Sequence, residues 1–317
     1  MCTEHLAALT PHLVGRRTLL KASAALALGA AGAVAAPSAA VAATTAARVP
    51  VEDICFQLYT CRSQLTEDPL GTLKALAKIG YRRVEHAGYA GLSAKDFRKV
   101  ADEAGVRVPT GHTSVPFPYD DAAWRKICVD ARTVGQRYVI EPLPLFALPI
   151  LVAKMGGAPE QAGIPAALWT QYAHTLDHAA LVAREYGLRV GYHNHDPEFA
   201  LAVGDPLGRT GFDILMAETT PGLVDFTVDL YWATHGGADP VQLMRRYRKR
   251  IRRFHVKDMN KDGSIADPGK GIIDFGRIFR AANNLGIQLF TVEQDNAGDR
   301  ALDVAADSYR YLRRLRF

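Results

Sequence analysis

Three short apolar runs end in residues of the kinds that bind divalent metals. Val224-Asp225-Phe226-Thr227-Val228-Asp229 closes on a carboxylate, Arg252-Arg253-Phe254-His255 on an imidazole, and Leu289-Phe290-Thr291-Val292-Glu293 on a second carboxylate. If each run is a β-strand and the three lie side by side, two oxygens and one nitrogen converge on a common point. Mixed O/N ligation of this kind suits Mn²⁺ first, and also Co²⁺, Mg²⁺, Fe²⁺ or Zn²⁺. A lone His255 reads equally well as a hydrogen-bonded core histidine. Asp229 and Glu293 at matching positions tip the reading toward a metal ligand.

The same feature recurs along the chain. Gln57 with Tyr59, Glu85 with His86, His112, Glu141, the run His193-Asn194-His195-Asp196, Lys257 with Asp258, and Gln294 with Asp295 all stand at the ends of apolar runs. Burying each of these unpaired would cost on the order of several kcal/mol. Any one is explicable as a satisfied core residue, but the set reads as one site.

The elements that must position these residues alternate strictly. Candidate strands are Ile54–Tyr59, Arg82–His86, Arg107–His112, Tyr138–Glu141, Arg189–His195, Leu223–Asp229, Arg252–Lys257 and Gln288–Gln294. Helical patterns lie between them. Ser93 caps Ala94–Glu103, Asp239-Pro240 opens Val241–Lys249, Pro165–Tyr186 is a long amphipathic segment, and Asp274 opens Phe275–Asn284. Gly80, Gly105, Gly187 and Gly286 each sit between a helix end and a strand, where a left-handed residue is needed. Eight such units predict a single-domain (β/α)8 TIM barrel, with the polar strand ends gathered at the C-terminal face. The stretch Leu143–Leu168 is long and rich in Pro and Gly, and reads as an inserted loop over one end of the barrel.

Composition bounds the alternatives. The chain has 317 residues, 48% hydrophobic and 22% charged, with a net charge of +5, which is ordinary globular composition and leaves a homo-oligomer open. The basic stretch Arg245–Arg253 is interrupted by Tyr247 and Ile251 and reads as a solvated helix end, not a nucleic-acid surface. Residues 1–43 differ in kind. Gly15-Arg16-Arg17-Thr18-Leu19-Leu20-Lys21 is followed by the Ala-rich run Ala22–Ala36 and by small residues at Ala40-Val41-Ala42. This resembles a twin-arginine export signal, and implies a periplasmic or extracellular barrel over residues 44–317 with no membrane association once the signal is removed. The first 43 residues carry three of the 38 basic and one of the 33 acidic side chains, so the remainder keeps a net charge of +3. Cys55, Cys61 and Cys128 have no framework spacing and read as buried thiols.

Five motifs in order carry a family resemblance: Gly191-Tyr192-His193-Asn194-His195-Asp196-Pro197-Glu198-Phe199, Val228-Asp229-Leu230-Tyr231-Trp232, His255-Val256-Lys257-Asp258-Met259, Gly269-Lys270-Gly271-Ile272-Ile273-Asp274-Phe275 and Val292-Glu293-Gln294-Asp295. From about Asp53 to the C-terminus the chain resembles the sugar phosphate isomerase/epimerases of the xylose isomerase-like TIM-barrel superfamily. The resemblance implies a divalent metal held by Glu, Asp, His and Glu. Asp229, His255 and Glu293 match three of these. The fourth, a Glu on the fifth strand, has no direct counterpart. Gly191 or His193 stands in its place, with His193, His195 or Glu198 as substitutes and Glu141 on the neighbouring strand as a further one.

The chemistry implied is proton abstraction beside a carbonyl, with the enediolate stabilised by the metal. Glu293 is ligand and base, with His193 or His195 as partner on the other face. Lys257 stabilises the enolate oxygen or pairs with Asp229 or Glu293. Gln57, Glu85, His112 and Asn194 are placed to bind sugar hydroxyls, and Trp232, Tyr231, Phe117 and Tyr59 to stack on a sugar face. Gly269-Lys270-Gly271 is too short for a phosphate cradle and reads as a loop of close backbone approach. The expected substrate is a free sugar or a sugar derivative. The leading expectation is an isomerase or epimerase. The alternatives are a lyase or dehydratase acting on a 3-keto-glycoside or inosose-like compound, and a non-catalytic sugar-binding barrel.

Overall fold

The computed structural model describes residues 46–149 and 163–317. Eight parallel strands close into a barrel: β1 (Ile54–Gln57), β2 (Arg83–His86), β3 (Arg107–His112), β4 (Tyr138–Glu141), β5 (Arg189–His193), β6 (Val224–Asp229), β7 (Ile251–Val256) and β10 (Leu289–Val292). Their order around the barrel is β1-β10-β7-β6-β5-β4-β3-β2. The two-residue strands β8 (Asp258–Met259) and β9 (Ile265–Ala266) form a small antiparallel hairpin beyond the end of β7.

The helices begin where the sequence supplies caps. Ser93 Oγ accepts the Asp96 amide at 3.1 Å and opens Ala94–Ala104, which Gly105 ends at φ 73°. Asp239 Oδ1 accepts the Val241 amide at 2.9 Å ahead of Pro240–Tyr247, and Asp274 Oδ1 the Arg277 amide at 2.8 Å ahead of Phe275–Ala282. The last two helices stop two residues earlier than their sequence patterns suggest, a difference of the size expected at fraying ends. Ala166–Glu185 matches the long amphipathic segment. Residues 150–162, half of the expected inserted loop, and the whole of the expected export signal lie outside the described residues.

Alternation along the strands sorts residues to two sides. Outward-facing Phe254 and Phe290 pack on Phe279 of the helix Phe275–Ala282, with ring centroids 5.8 and 4.8 Å away. Each such buried ring contributes about 1.5–3 kcal/mol relative to exposure. Inward-facing residues are unusually polar. Arg253, 1% exposed, crosses the barrel interior, donates from Nε to Thr227 Oγ1 at 3.0 Å and lies 4.2 Å from the Tyr138 ring. Gly191 faces it: a Cβ there would come within 2.6 Å of both Arg253 Nη2 and Ile140 Cδ1. Gly191 therefore serves the packing of the barrel centre, one interior layer below the mouth.

Cys55, Cys61 and Cys128 are buried free thiols. Among the described residues no helix is long and apolar enough to cross a membrane.

Candidate metal and catalytic site

The inward residues at the C-terminal ends of the strands form a nearly continuous polar ring. Gln57 Nε2 donates to Glu85 Oε1 at 2.8 Å, and His112 Nε2 lies 3.2 Å from the same oxygen. The His112 and His193 rings are 5.0 Å apart. His193 Nε2 is 3.3 Å from Asp229 Oδ2. His255 bridges two carboxylates, with Nε2 2.6 Å from Glu85 Oε1 and Nδ1 2.7 Å from Glu293 Oε2. Lys257, 1% exposed, sits above this layer with Nζ 3.2 Å from Asp229 Oδ2, 3.0 Å from Glu293 Oε2 and 3.0 Å from Asp295 Oδ1.

His193, Asp229, His255 and Glu293 each offer one donor atom, and these atoms all lie within 4.8 Å of one another. Donors around a divalent ion at about 2.0–2.2 Å need closely this spacing. Two neutral nitrogens and two anionic oxygens also balance the charge of such an ion. The residues therefore fit a divalent metal. Accommodating it requires Lys257 to retire toward Asp295, which its ammonium already contacts. Of the fifth-strand substitutes, His193 alone joins this set. Glu141, at the end of β4, faces outward and accepts the Val115 and Leu143 amides at 2.6 and 3.0 Å. Glu198 accepts the Tyr192 hydroxyl at 2.7 Å and the His195 amide at 3.0 Å.

The charges in the ring are strongly coupled. Burial opposes ionisation of Glu85, but the His255 and His112 imidazoles beside it outweigh burial and hold its carboxyl well below the usual range. Burial likewise opposes the charged form of His255, yet Glu85 and Glu293 push it up to about 10, so without a metal it is an imidazolium. Glu293 is held well below the ordinary carboxylate range because Lys257 and His255 outweigh burial. Lys257 is raised for the converse reason, with Asp229, Asp295 and Glu293 outweighing burial. Burial, then the neighbouring His255, keeps His193 neutral; burial, then His193 and Lys257, does the same for His195.

The remaining sequence candidates are placed as follows in the fold. Glu85 belongs to the ring, but one of its oxygens is taken by Gln57, His112 and His255, which makes it a support for His255. Asn194 is buried and holds the Asp229 backbone: its Oδ1 accepts the Asp229 amide at 3.1 Å and its Nδ2 donates to the Asp229 carbonyl at 3.4 Å. His195 and Trp232 line the mouth together, 5.3 Å between centroids, with His195 Nδ1 and Trp232 Nε1 buried and without a hydrogen-bond partner among the described residues. Trp232 also donates its backbone N–H to Asp229 Oδ1 at 2.9 Å. Tyr231 donates its hydroxyl to the Gly263 carbonyl at 3.0 Å, Phe117 packs on Phe146 and Tyr172, and Tyr59 is exposed. His86 points out of the barrel, against Tyr89, Phe97 and Gln136. Asp258 anchors the loop predicted from Gly269-Lys270-Gly271, accepting the Gly269 and Gly271 amides at 2.9 Å and the Ile273 amide at 3.1 Å.

Sequence reasoning did not single out Asp295 as the third carboxylate at Lys257, nor Arg253 as the occupant of the barrel centre. The Gly191–Arg253 pairing was the available signal for the second: a glycine within a strand marks close approach by another group.

A closed β/α barrel with a metal-type donor set at its C-terminal mouth defines the class. The chain belongs to the xylose isomerase-like TIM barrel family, whose pattern matches residues 73–315. It is 30% identical to the inosose dehydratase of Clostridium tetani over 166 residues, 45% of this chain and 53% of that relative. The match thus spans about half the length of that curated relative. Among solved structures it resembles a sugar phosphate isomerase/epimerase from Parabacteroides distasonis, with a TM-score of 0.68 and 24% identity over 83% of this chain and 98% of the other. It also resembles a xylose isomerase-like TIM barrel protein from Mycobacterium smegmatis in complex with magnesium, with a TM-score of 0.60 and 14% identity over 82% and 95% of the two chains.

Proposed function

We propose that this chain is a divalent-metal-dependent lyase that removes water from a keto-polyol or keto-sugar. The observation that carries this reading is the convergence of His193, Asp229, His255 and Glu293 beside the lone imidazole nitrogen of His195. The similarity to an inosose dehydratase supports elimination over simple isomerisation. A metal held by the four donors would polarise the substrate carbonyl and lower the acidity barrier of the adjacent C–H. Mn²⁺, Mg²⁺, Zn²⁺, Co²⁺ and Fe²⁺ are all compatible with this mixed donor set.

The residues of the chain divide the remaining work. Glu293 is committed to the donor set, its Oε2 also lying 2.7 Å from His255 Nδ1 and 3.0 Å from Lys257 Nζ. His195 is neutral and has a nitrogen to spare, so it takes the proton from carbon at Nδ1. The electron pair moves to the carbonyl oxygen, where the Lys257 ammonium stabilises it. As the enolate collapses, the C–O bond of the β-hydroxyl breaks. The departing hydroxide takes the proton back from His195, and one water leaves. Trp232 Nε1 is a donor for a further substrate oxygen.

Epimerisation is the second reading, favoured by the pair of imidazoles His193 and His195, whose centroids are 4.8 Å apart at the mouth. It uses the same first step and returns the proton to the other face. The test is incubation of metal-loaded protein in heavy water with an inosose and with a 3-keto-glucoside. A product lighter by one water supports the lyase. Retained mass with deuterium at the carbon beside the carbonyl moves the assignment to the epimerase. Neither elimination nor exchange, with any of the five metals, leaves the non-catalytic sugar-binding barrel.

An unphosphorylated substrate is part of the proposal. The single ammonium of Lys257, paired with Asp295, makes no phosphate cradle. Export also stays a proposal, resting on Arg16-Arg17 and the apolar run after them. Fractionation of cells expressing the native chain and an R16K/R17K variant tests it, with retention of the variant inside the cell expected.

A further inference from the structure

The N-terminal end of the barrel has the opposite charge character from the mouth. Arg83, Arg107, Arg137, Arg189 and Arg252 stand at or beside the starts of β2, β3, β4, β5 and β7. Most arginines here are engaged by the protein. Arg82 donates to the Ala77 carbonyl at 2.7 Å, Arg250 to the Met216 carbonyl at 2.8 Å and Arg252 to the Leu285 carbonyl at 3.4 Å. That is the usual role of a cation near a helix C-terminus. Arg83 pairs with Asp53 at 3.1 Å, Arg98 with Asp102 at 2.7 Å and Arg189 with Asp225 at 2.9 Å. Arg107 and Arg137 differ: among the described residues neither side chain has a hydrogen bond, an ion pair or a ring contact.

Both line a cavity of about 630 Å³ at this end of the barrel, together with Arg83, Arg98, Tyr138 and Gln288. Behind Tyr138 lies Arg253, whose guanidinium is buried and whose Nη1 and Nη2 have no acceptor among the described residues. Four guanidiniums line the cavity against two carboxylates, Asp53 and Asp102.

We infer that this cavity binds a small, multiply charged anion of carboxylate or phosphate chemistry, at a site separate from the catalytic mouth. The volume falls in the range of small-molecule sites, roughly 300–1,000 Å³. The planar forks of Arg107 and Arg137 match carboxylate or phosphate oxygens two at a time. A neutral sugar would leave both charges unanswered, and a cation would be repelled. The ligand is an effector or an anchoring group, not the substrate, because the cavity and the His193–Glu293 cluster lie at opposite ends of the strands.

Calorimetric titration of the full chain at fixed ionic strength tests this, with tricarballylate and inorganic phosphate as probes and glycerol as the neutral control. Saturable binding of either acid at one site is expected, and the tighter probe identifies the head group. The R107Q/R137Q variant is expected to bind about 100-fold more weakly, near tenfold per guanidinium removed. Binding to E293Q is expected to stay within twofold of native. Both arginines are exposed; should the double variant fail to fold, R107K/R137K keeps the charge and loses the fork, and several-fold weaker binding is expected. Absence of saturable binding overturns the inference. So does native affinity in both arginine variants, or loss of binding in E293Q.

Discussion

Glu85 Oε1 lies 2.6 Å from His255 Nε2, across the barrel mouth from β2 to β7. That contact decides which imidazole nitrogen faces the ligand cluster. With Nε2–H held by Glu85, Nδ1 is left toward Glu293, so a metal would be met by Nδ1. Carboxylate–histidine pairs of this sort raise ligand basicity, and their loss typically weakens metal affinity about 10–100-fold. E85Q is expected to fall in that range in a competition titration with a chromogenic chelator. Native affinity in E85Q would show that Glu85 does not orient His255.

His193 and His195 are neighbours with different tasks. H193A removes a donor, so it should lower metal occupancy after dialysis. H195A should retain full metal content and lose turnover by about 10²–10⁴-fold. Metal analysis and steady-state kinetics on the same preparations check both. Equal metal content in the two variants would count against His193 as the fourth ligand.

Lys257 compensates three carboxylates when no metal is present. Replacing it with methionine leaves buried negative charge unpaired, a loss of about 3–5 kcal/mol in the metal-free protein. Added divalent metal restores the compensation and stabilises only the folded form. The expected result is a lower melting temperature for metal-free K257M and a larger metal-induced rise than in the native protein. A variant as stable as the native metal-free protein would show that the carboxylates do not depend on Lys257.

Glu198 is pushed up to about 7 by burial, only partly offset by the Tyr192 hydroxyl and the His195 amide. Its folded pKa exceeds the unfolded one, so the folded state holds the extra proton between roughly pH 4.5 and 7. Stability from this group is full below that window and is lost as pH rises through it. Glutamine retains the acceptor for Tyr192 and His195 and cannot ionise. The melting-temperature difference between E198Q and native protein should therefore grow in favour of E198Q from pH 5 to pH 8. A constant difference would place the Glu198 titration outside this range.

Much of the barrel was legible because its signals are local. The caps Ser93, Asp239 and Asp274 and the left-handed Gly105 fix helix ends within a few residues, and strict alternation leaves few topologies. Asp229, His255 and Glu293 were legible as a set because each terminates an apolar run. What was not legible depends on contacts across the barrel. Periodicity puts Glu85 on an inward position but does not say that its partner is His255, 170 residues away. Nor does it separate Glu141, facing outward, from His112, facing inward, since both simply end a strand. The partner of Asn194 was hidden for the same reason: the Asp229 backbone lies on another strand.

The Asn194 amide engages both the N–H and the C=O of Asp229, one residue past the end of the β5–β6 ladder. It works as an extra rung made from a side chain. The distance between the two strand tips is thereby set next to His193 but not by it. A change of the donor at position 193 would therefore leave the carboxylate at 229 in place, its backbone held from the neighbouring strand.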